Sequence, residues 1–201
     1  MHPYATDSDE RNKVLLWLAS LSICMSWLLH VFFQKINFTP PWWSDIPSFV
    51  GFYEMLLFFF DKWLWKISLI RKMGLVKVPN LSGKWDGTEL SSNKHHETQI
   101  KATIDIYQTW TKIKIKLSTD SSVSYSQTAS VLIASPDAVI LSYDYSNEPV
   151  SKAVKTMNSH RGMARHNYIV NKEKETLDGN YFTGRGRTTF GSLFFVRVSY
   201  E

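Results

Sequence analysis

Cysteine is nearly absent from this sequence: Cys24 is the only one among 201 residues. No disulfide can therefore form within the chain, and no cysteine-based metal site is possible. Motifs of the common enzyme classes are also absent, including the Gly-x-Ser-x-Gly elbow, the His-Glu-x-x-His zinc motif and the glycine-rich phosphate loop. We therefore predict a protein of a reducing compartment, with no enzymatic activity, no bound metal and no cofactor.

Charged residues are absent from one long stretch, residues 14–33 (VLLWLASLSICMSWLLHVFF). Its length is close to the roughly 20 residues that a helix needs to cross a bilayer. A secretory signal peptide would have a shorter apolar core and a cleavage site of small residues, which does not follow here. The stretch is therefore predicted to be a membrane-spanning helix.

A second apolar run covers residues 46–70 and carries Lys62 and Lys66 near its end. Trp63 and Trp65 beside these lysines are typical of a membrane interface, so a second span is predicted over residues 46–65. The alternative is a helix that lies in the interface without crossing.

Three polar residues within the predicted spans are candidate contacts between subunits. Glu54 interrupts the second apolar run, and an ionisable side chain at membrane depth commonly marks a helix interface or a pore. Protonation of a merely tolerated carboxyl group is the alternative. Ser22 and Ser26 lie one helical turn apart and offer a small-residue face for close helix approach.

Basic residues flank the two predicted spans on the side of the chain termini, while the connecting loop carries only Lys35. Positive residues are retained on the cytoplasmic side, so both termini are predicted to be cytoplasmic. The same residues supply much of the net charge of +5, so duplex nucleic acid is not predicted as a partner. They are Arg11, Lys13, Arg71, Lys72 and Lys77.

The composition changes near residue 77, so we predict a membrane region over residues 1–77 and a water-soluble domain over residues 78–201. The second part contains short segments with alternating apolar and polar residues, separated by turn residues. No long helical pattern interrupts them, which favours an all-β, eight-stranded up-and-down barrel. The predicted strands are Lys84–Leu90, Glu97–Gln108, Trp110–Leu117, Val123–Ala134, Ala138–Tyr145, Arg161–Val170, Leu177–Thr183 and Ser192–Tyr200.

Gly83 and Trp85 at the start of the first strand resemble the Gly-x-Trp opening of lipocalin-like barrels, in which the tryptophan closes one end. The segment from Leu177 to Tyr181, with Gly179 at its centre, resembles a late strand of such barrels. Two N-terminal spans followed by a lipocalin-like barrel resemble, in domain order over the whole chain, the CD-NTase-associated membrane effectors of CBASS. CBASS is the cyclic-oligonucleotide-based anti-phage signalling system of bacteria.

This resemblance implies a cytoplasmic barrel that binds a cyclic dinucleotide. It further implies a multi-pass protein that forms homo-oligomers in the bacterial inner membrane on activation, and membrane disruption that kills the infected cell. A membrane-anchored carrier or sensor of an apolar ligand is the main alternative, since barrels of this kind often hold lipids. A barrel that binds a protein partner is a third possibility.

The resemblance supplies no ligand-binding residues, so candidates are chosen by chemistry. Phosphates need cationic donors and bases need aromatic faces. Arg185 and Arg187, interleaved with glycines, are the first phosphate candidates, and Arg161 and Arg165 are the next; basic surface turns are the alternative. The aromatic candidates are Trp85, Tyr107, Tyr125, Tyr143 and Tyr181, of which Trp85 and Tyr181 are interpreted as core residues first.

Overall fold

The chain folds into two compact units. The computed structural model describes residues 1–38, 41, 45–92, 97–135, 138–171, 174–184 and 188–199. One unit, here called the membrane unit, comprises Ser8–Lys77, and the other, here called the barrel unit, combines Met1–Asp7 with Val78–Glu201.

All eight predicted strands are confirmed, with ends that differ by a few residues. The strands are β3 (Gly83–Ser91), β4 (Gln99–Gln108), β5 (Lys112–Thr119), β6 (Ser122–Ser135), β7 (Ala138–Pro149), β8 (His160–Val170), β9 (Glu175–Thr183) and β10 (Phe190–Ser199). Each of these strands pairs antiparallel with its neighbours in sequence, and β10 pairs antiparallel with β3, so that the eight strands form a closed up-and-down barrel.

The barrel core is built by the alternation seen in the sequence. Ile104 and Ile106 on β4 and Ile113 and Ile115 on β5 are fully buried or nearly so, whereas the intervening lysines of β5 face outward. Burial of each such side chain stabilises the fold by about 1.5–3 kcal/mol. The isoleucines therefore fix which face of each strand points inward.

An N-terminal strap, residues 1–7, completes the barrel. Its two short strands are β1 (His2–Pro3), antiparallel to β5, and β2 (Ala5–Thr6), parallel to β6. Tyr4 is buried and its hydroxyl donates to the carbonyl oxygen of Trp110 at 2.8 Å. The strap therefore belongs to the barrel unit and not to the N-terminal membrane region, so the predicted boundary needs correction for these residues.

The membrane unit contains α1 (Glu10–Lys35), α2 (Asp45–Lys62), a 3-10 turn (Leu64–Lys66) and the short α3 (Ser68–Lys72). Among the described residues, α1 is the one helix whose length and apolar composition suit a membrane crossing, and it contains the whole first predicted span. The structure thus supports one span directly. The second predicted span extends past the end of α2 into the 3-10 turn.

The predicted subunit contacts differ in their exposure within the membrane unit. Ser22 is fully buried, and its hydroxyl donates to the carbonyl oxygen of Ala19 at 2.8 Å. Ser26 is half-buried, whereas Glu54 is exposed on α2. Ser22 therefore contributes to packing within one chain, Ser26 is partly accessible to another subunit, and Glu54 is the most exposed of the three.

Candidate ligand-binding site

One end of the barrel is closed around Trp85, as the lipocalin-like resemblance implies. Trp85 is fully buried, and its indole N–H donates to the carbonyl oxygen of Leu81 at 3.1 Å. The guanidinium of Arg197 lies 4.4 Å from the centre of the Trp85 ring, within the range of a cation–π contact. Arg197 also donates to the carbonyl oxygens of Ser82 and Asn80, and it pairs with Glu175 at 2.7 Å.

The opposite end opens into a cavity of about 500 Å³. It lies where β3, β5, β7 and β9 end and where β4, β6, β8 and β10 begin. Hydroxyl groups dominate this part of the wall, because the inward positions near these strand ends carry small polar residues. The lining hydroxyl residues include Ser91, Ser122, Ser124, Thr183 and Thr189.

Three tyrosines line the cavity: Tyr143 and Tyr145 from β7 and Tyr181 from β9. The hydroxyl of Tyr181 donates to a carboxylate oxygen of Glu89. Burial, and secondarily the nearby Glu89 carboxylate, raises the pKa of Tyr181, and burial likewise raises the pKa of Tyr143. These phenols therefore remain protonated at neutral pH and can act as hydrogen-bond donors.

A buried histidine packs beneath the tyrosines. His166 is fully buried, and its ring stacks on Tyr143 with an interplanar angle of 12°. Its Nε2 lies 3.5 Å from the Tyr143 hydroxyl, and Phe195 packs edge-on against the ring. Burial lowers the pKa of His166 to about 4, so the ring is neutral at physiological pH.

An amide group on the wall provides a further polar contact. The Nδ2 of Asn147 donates to the hydroxyls of Ser122 at 2.9 Å and Ser124 at 2.8 Å. Its Oδ1 is buried and has no hydrogen-bond partner within the described residues. A buried acceptor of this kind favours a ligand that brings a hydroxyl or N–H donor.

The structure brings together two of the predicted aromatic residues and separates the others. Tyr143 and Tyr181 line the cavity, whereas Trp85 closes the far end as a core residue. Tyr107 and Tyr125 are exposed on the barrel surface, at 40% and 36%. Trp85 is thus the core residue that the sequence favoured, Tyr181 lines the cavity although it was interpreted as core first, and Tyr107 and Tyr125 do not line the cavity.

The predicted arginines of β8 also point outward. Arg161 and Arg165 are exposed, because the alternation along β8 directs Ala164 and His166 into the barrel. Both faces of this strand carry a mixture of small, polar and apolar residues, so the sequence did not reveal which face is inward. Neither arginine is part of the cavity wall.

Arg185 and Arg187 lie outside the described residues. The residues described on either side of them, Thr183 and Thr189, both line the cavity. The backbone N–H of Thr183 donates to the carbonyl oxygen of Thr189 at 2.8 Å, which fixes the base of the turn between β9 and β10.

Sequence reasoning missed four residues that shape the barrel interior. Glu89, Tyr145 and Asn147 line the cavity, and Arg197 helps to close the far end. For Glu89 a signal was present, because alternate residues counted along β3 from the buried Trp85 place position 89 on the inner face. Arg197 gave no such signal, since a lone arginine near the end of a strand is usually a surface residue.

Comparison with known proteins links both units to one family. Residues 76–197 match the family described as Cap15, cyclic dinucleotide receptor domain, and residues 12–66 match the family described as Cap15, TM helices. The chain is also 35% identical over 167 residues to CD-NTase-associated protein 15 of Yersinia aleksiciae, an alignment that covers 78% of this chain and 76% of that protein. The polar cavity, the apolar α1 and these matches together show that this chain belongs to the Cap15 family of CD-NTase-associated CBASS effectors.

Proposed function

We propose that this protein is a membrane-anchored receptor that binds a cyclic dinucleotide in its barrel and then assembles in the bacterial inner membrane. The assembly disrupts the membrane and kills the infected cell, without enzymatic activity of its own. The observation that carries this proposal is the open, hydroxyl-lined cavity of about 500 Å³ inside a domain that matches cyclic dinucleotide receptors. Sites for small ligands typically measure about 300–1,000 Å³.

The polarity of the cavity argues against the alternative of an apolar carrier. Ile100, Leu117 and Leu193 contribute apolar patches, but most of the other lining residues are polar or tyrosine. A lipid tail would leave the buried Oδ1 of Asn147, which has no hydrogen-bond partner within the described residues, without a donor, at a cost of about 1–3 kcal/mol. A ligand with ribose hydroxyls or base N–H groups supplies this donor instead.

The phosphates of the ligand are expected near the open end. Lys101 and His160 line the cavity there, close to the first residues of β4 and β8. Arg185 and Arg187 lie in the sequence between the lining residues Thr183 and Thr189, so we propose that they supply further cationic donors. The tyrosines deeper in the cavity then provide faces on which the bases stack.

The connectivity of the chain supports two membrane crossings. The chain leaves the barrel unit after Asp7 and returns to it at Val78, and one compact unit lies on a single side of a bilayer. If α1 crosses once, the chain must cross again before residue 78. We propose that α2 and the residues after it make this second crossing, over residues 46–65. Because the flanking basic residues favour cytoplasmic ends for both spans, we propose that the barrel lies in the cytoplasm.

Activation requires that ligand binding favours the assembled state. A ligand shifts such an equilibrium only by the difference between its affinities for the two states. We propose homo-oligomers in which the exposed Glu54 contacts a neighbouring subunit within the membrane.

The proposal is tested by thermal denaturation of the full chain in detergent micelles, with cyclic dinucleotides and with palmitate as the apolar probe. At a ligand concentration 100-fold above Kd, stabilisation of the native state amounts to about 2.7 kcal/mol. We expect at least one cyclic dinucleotide to raise the Tm and palmitate to leave it unchanged. Stabilisation by palmitate alone contradicts the proposal and favours the carrier.

A further inference from the structure

The cavity that we propose for a cyclic dinucleotide has two acidic residues on its wall: Asp120, exposed between β5 and β6 at the open end, and Glu89, half-buried on β3. A carboxylate repels the two phosphates of such a ligand. When ionised, it accepts hydrogen bonds but cannot donate them. Glu89 must therefore contact a part of the ligand that donates hydrogen bonds and carries no negative charge. The base edges and the ribose hydroxyls are the groups of this kind.

Glu89 is held in place by the barrel wall. On β3 it pairs with Ile100 of β4 and Leu193 of β10, both of which also line the cavity. The hydroxyl of Tyr181, from β9, donates to one of its carboxylate oxygens. Tyr181 thereby orients the carboxylate. Because each oxygen of an ionised carboxylate can accept two hydrogen bonds, both oxygens still have acceptor capacity for a ligand.

The lysine of the described lining lies elsewhere. Lys101 occurs at the open end, near the start of β4, and is exposed. A phosphate bound by Lys101 at this end places a base of the same ligand nearer to Glu89 and the tyrosines. Glu89 is therefore in a position to contact a base and not a phosphate.

Among the common bases, guanine has the edge that fits a carboxylate best. Its N1–H and its N2 amino group are adjacent donors, so they can bind both oxygens of one carboxylate at once. Adenine and cytosine present one amino group next to a ring nitrogen that accepts, and the N3–H of uracil lies between two carbonyl oxygens. In each of these cases an acceptor faces the carboxylate and weakens the contact.

We infer that Glu89, oriented by Tyr181, is the residue that selects a guanine base in the ligand. This inference rests on the proposed function, because it names the base that the same cavity prefers. The ligand class that follows is a cyclic dinucleotide with at least one guanine.

The test measures the affinity of the full chain in detergent micelles for cyclic di-GMP, cyclic GMP–AMP, cyclic di-AMP and cyclic di-UMP by titration calorimetry. We expect the best guanine-containing ligand to bind about tenfold more tightly, or better, than the two without guanine. In the Glu89→Gln variant the amide offers one acceptor and one donor, which fits adenine. The ratio of guanine to adenine affinity should then fall by about tenfold or more.

Glu148→Gln is the matched control, because Glu148 is exposed on the outer face of β7, and its affinities should equal those of the wild type. Tyr181→Phe is a second variant that keeps the carboxylate but removes its fixing hydrogen bond, and it should reduce the preference for guanine. A melting curve in detergent verifies that each variant is folded.

Equal or tighter binding of cyclic di-AMP or cyclic di-UMP by the wild type overturns the inference and leaves the proposed function standing. Unchanged affinity ratios in both the Glu89→Gln and the Tyr181→Phe variants overturn the inference as well. They would indicate that Glu89 binds a ribose hydroxyl or has a structural role in the barrel. Binding of none of the four ligands overturns the proposed function, and this inference with it.

Discussion

The guanidinium of Arg197 lies over the ring of Trp85, 4.4 Å from its centre, and joins the last strand of the barrel to the first. The same guanidinium donates to two carbonyl oxygens of the segment before β3 and pairs with Glu175 on β9. One side chain therefore ties three parts of the barrel together at its closed end, while the other end remains open to a ligand.

Removal of this side chain should destabilise the barrel strongly. We expect Arg197→Ala to lower the free energy of unfolding by about 3–5 kcal/mol, since the variant loses the ion pair with the partly buried Glu175 together with the contacts to Trp85, Ser82 and Asn80. Urea unfolding of the full chain in detergent, followed by near-UV circular dichroism, measures the change. Arg165→Ala is the control, because Arg165 is exposed, and it should change stability by less than about 0.5 kcal/mol. Equal stabilities of the two variants would contradict the role of Arg197.

Loss of the strap contact at Tyr4 should destabilise the barrel where the strap pairs with β5 and β6. We expect Tyr4→Ala to cost about 3–5 kcal/mol, as is typical when a buried aromatic side chain is removed. Tyr4→Phe removes only the hydroxyl that donates to Trp110 and should cost about 1 kcal/mol. Ala5→Ser, at an exposed strap position, is the control. The same unfolding assay applies, and a Tyr4→Ala variant as stable as the control would show that the strap does not support the barrel.

His166 should make the barrel sensitive to acid. The pKa of this histidine is about 4 in the folded state and 6.5 when it is unperturbed, so between these values the unfolded chain binds more protons. Its contribution to stability is therefore complete above about pH 6.5 and is lost as the pH falls towards 4, by up to roughly 3 kcal/mol.

Unfolding curves measured from pH 7.5 to pH 4 should show this slope, and the slope should decrease in His166→Gln. His160→Gln serves as the control, since His160 lies at the open end of the cavity, and it should retain the slope. Identical slopes in the two variants would assign the acid sensitivity to other groups.

Arg185 and Arg187, which lie in the sequence between the cavity-lining Thr183 and Thr189, should contribute to ligand affinity, whereas the arginines on the outer face of β8 should not. We expect the double variant Arg185→Ala/Arg187→Ala to bind its cyclic dinucleotide at least about tenfold more weakly, because each charge-assisted hydrogen bond contributes about 1.5–3 kcal/mol. The matched control is Arg161→Ala/Arg165→Ala, which removes the same charge from exposed positions of β8. Calorimetric titration compares the two, and equal losses would indicate a long-range charge effect.

A change at Glu54 should separate ligand binding from membrane damage. We expect Glu54→Leu to leave the affinity for the ligand unchanged, because the residue lies in the membrane unit, while ligand-induced leakage of dye from proteoliposomes decreases. Met55→Leu, at the neighbouring exposed position, is the control and should leak like the wild type. Undiminished leakage in Glu54→Leu would exclude this carboxyl group from the assembly.

The sequence predicted the barrel well because β4 and β5 alternate clearly between apolar and polar residues and because turn residues separate the strands. Ile104 and Ile113, for example, can point only inward if the lysines beside them are to remain in water. The same rule fails on β8, where Arg161 and Arg165 were predicted to face a ligand and instead face outward. With Ala164 on one face and Met163 on the other, that strand has no clearly apolar side.

The other features that the sequence did not predict depend on contacts between residues far apart in the chain. The strap consists of strands of only two residues, which are too short for any periodic pattern. The pairing of Tyr181 with Glu89 joins positions 92 residues apart, so it becomes apparent only when β9 and β3 are placed in the same barrel.

The strap also has a consequence for biosynthesis. Tyr4 binds Trp110 across 106 residues of sequence, and the whole membrane unit is encoded between them. During translation the strap emerges first and must wait until both apolar helical segments have left the ribosome before β5 and β6 exist to receive it. The receptor domain can thus be completed only after the apolar helical segments have been synthesised.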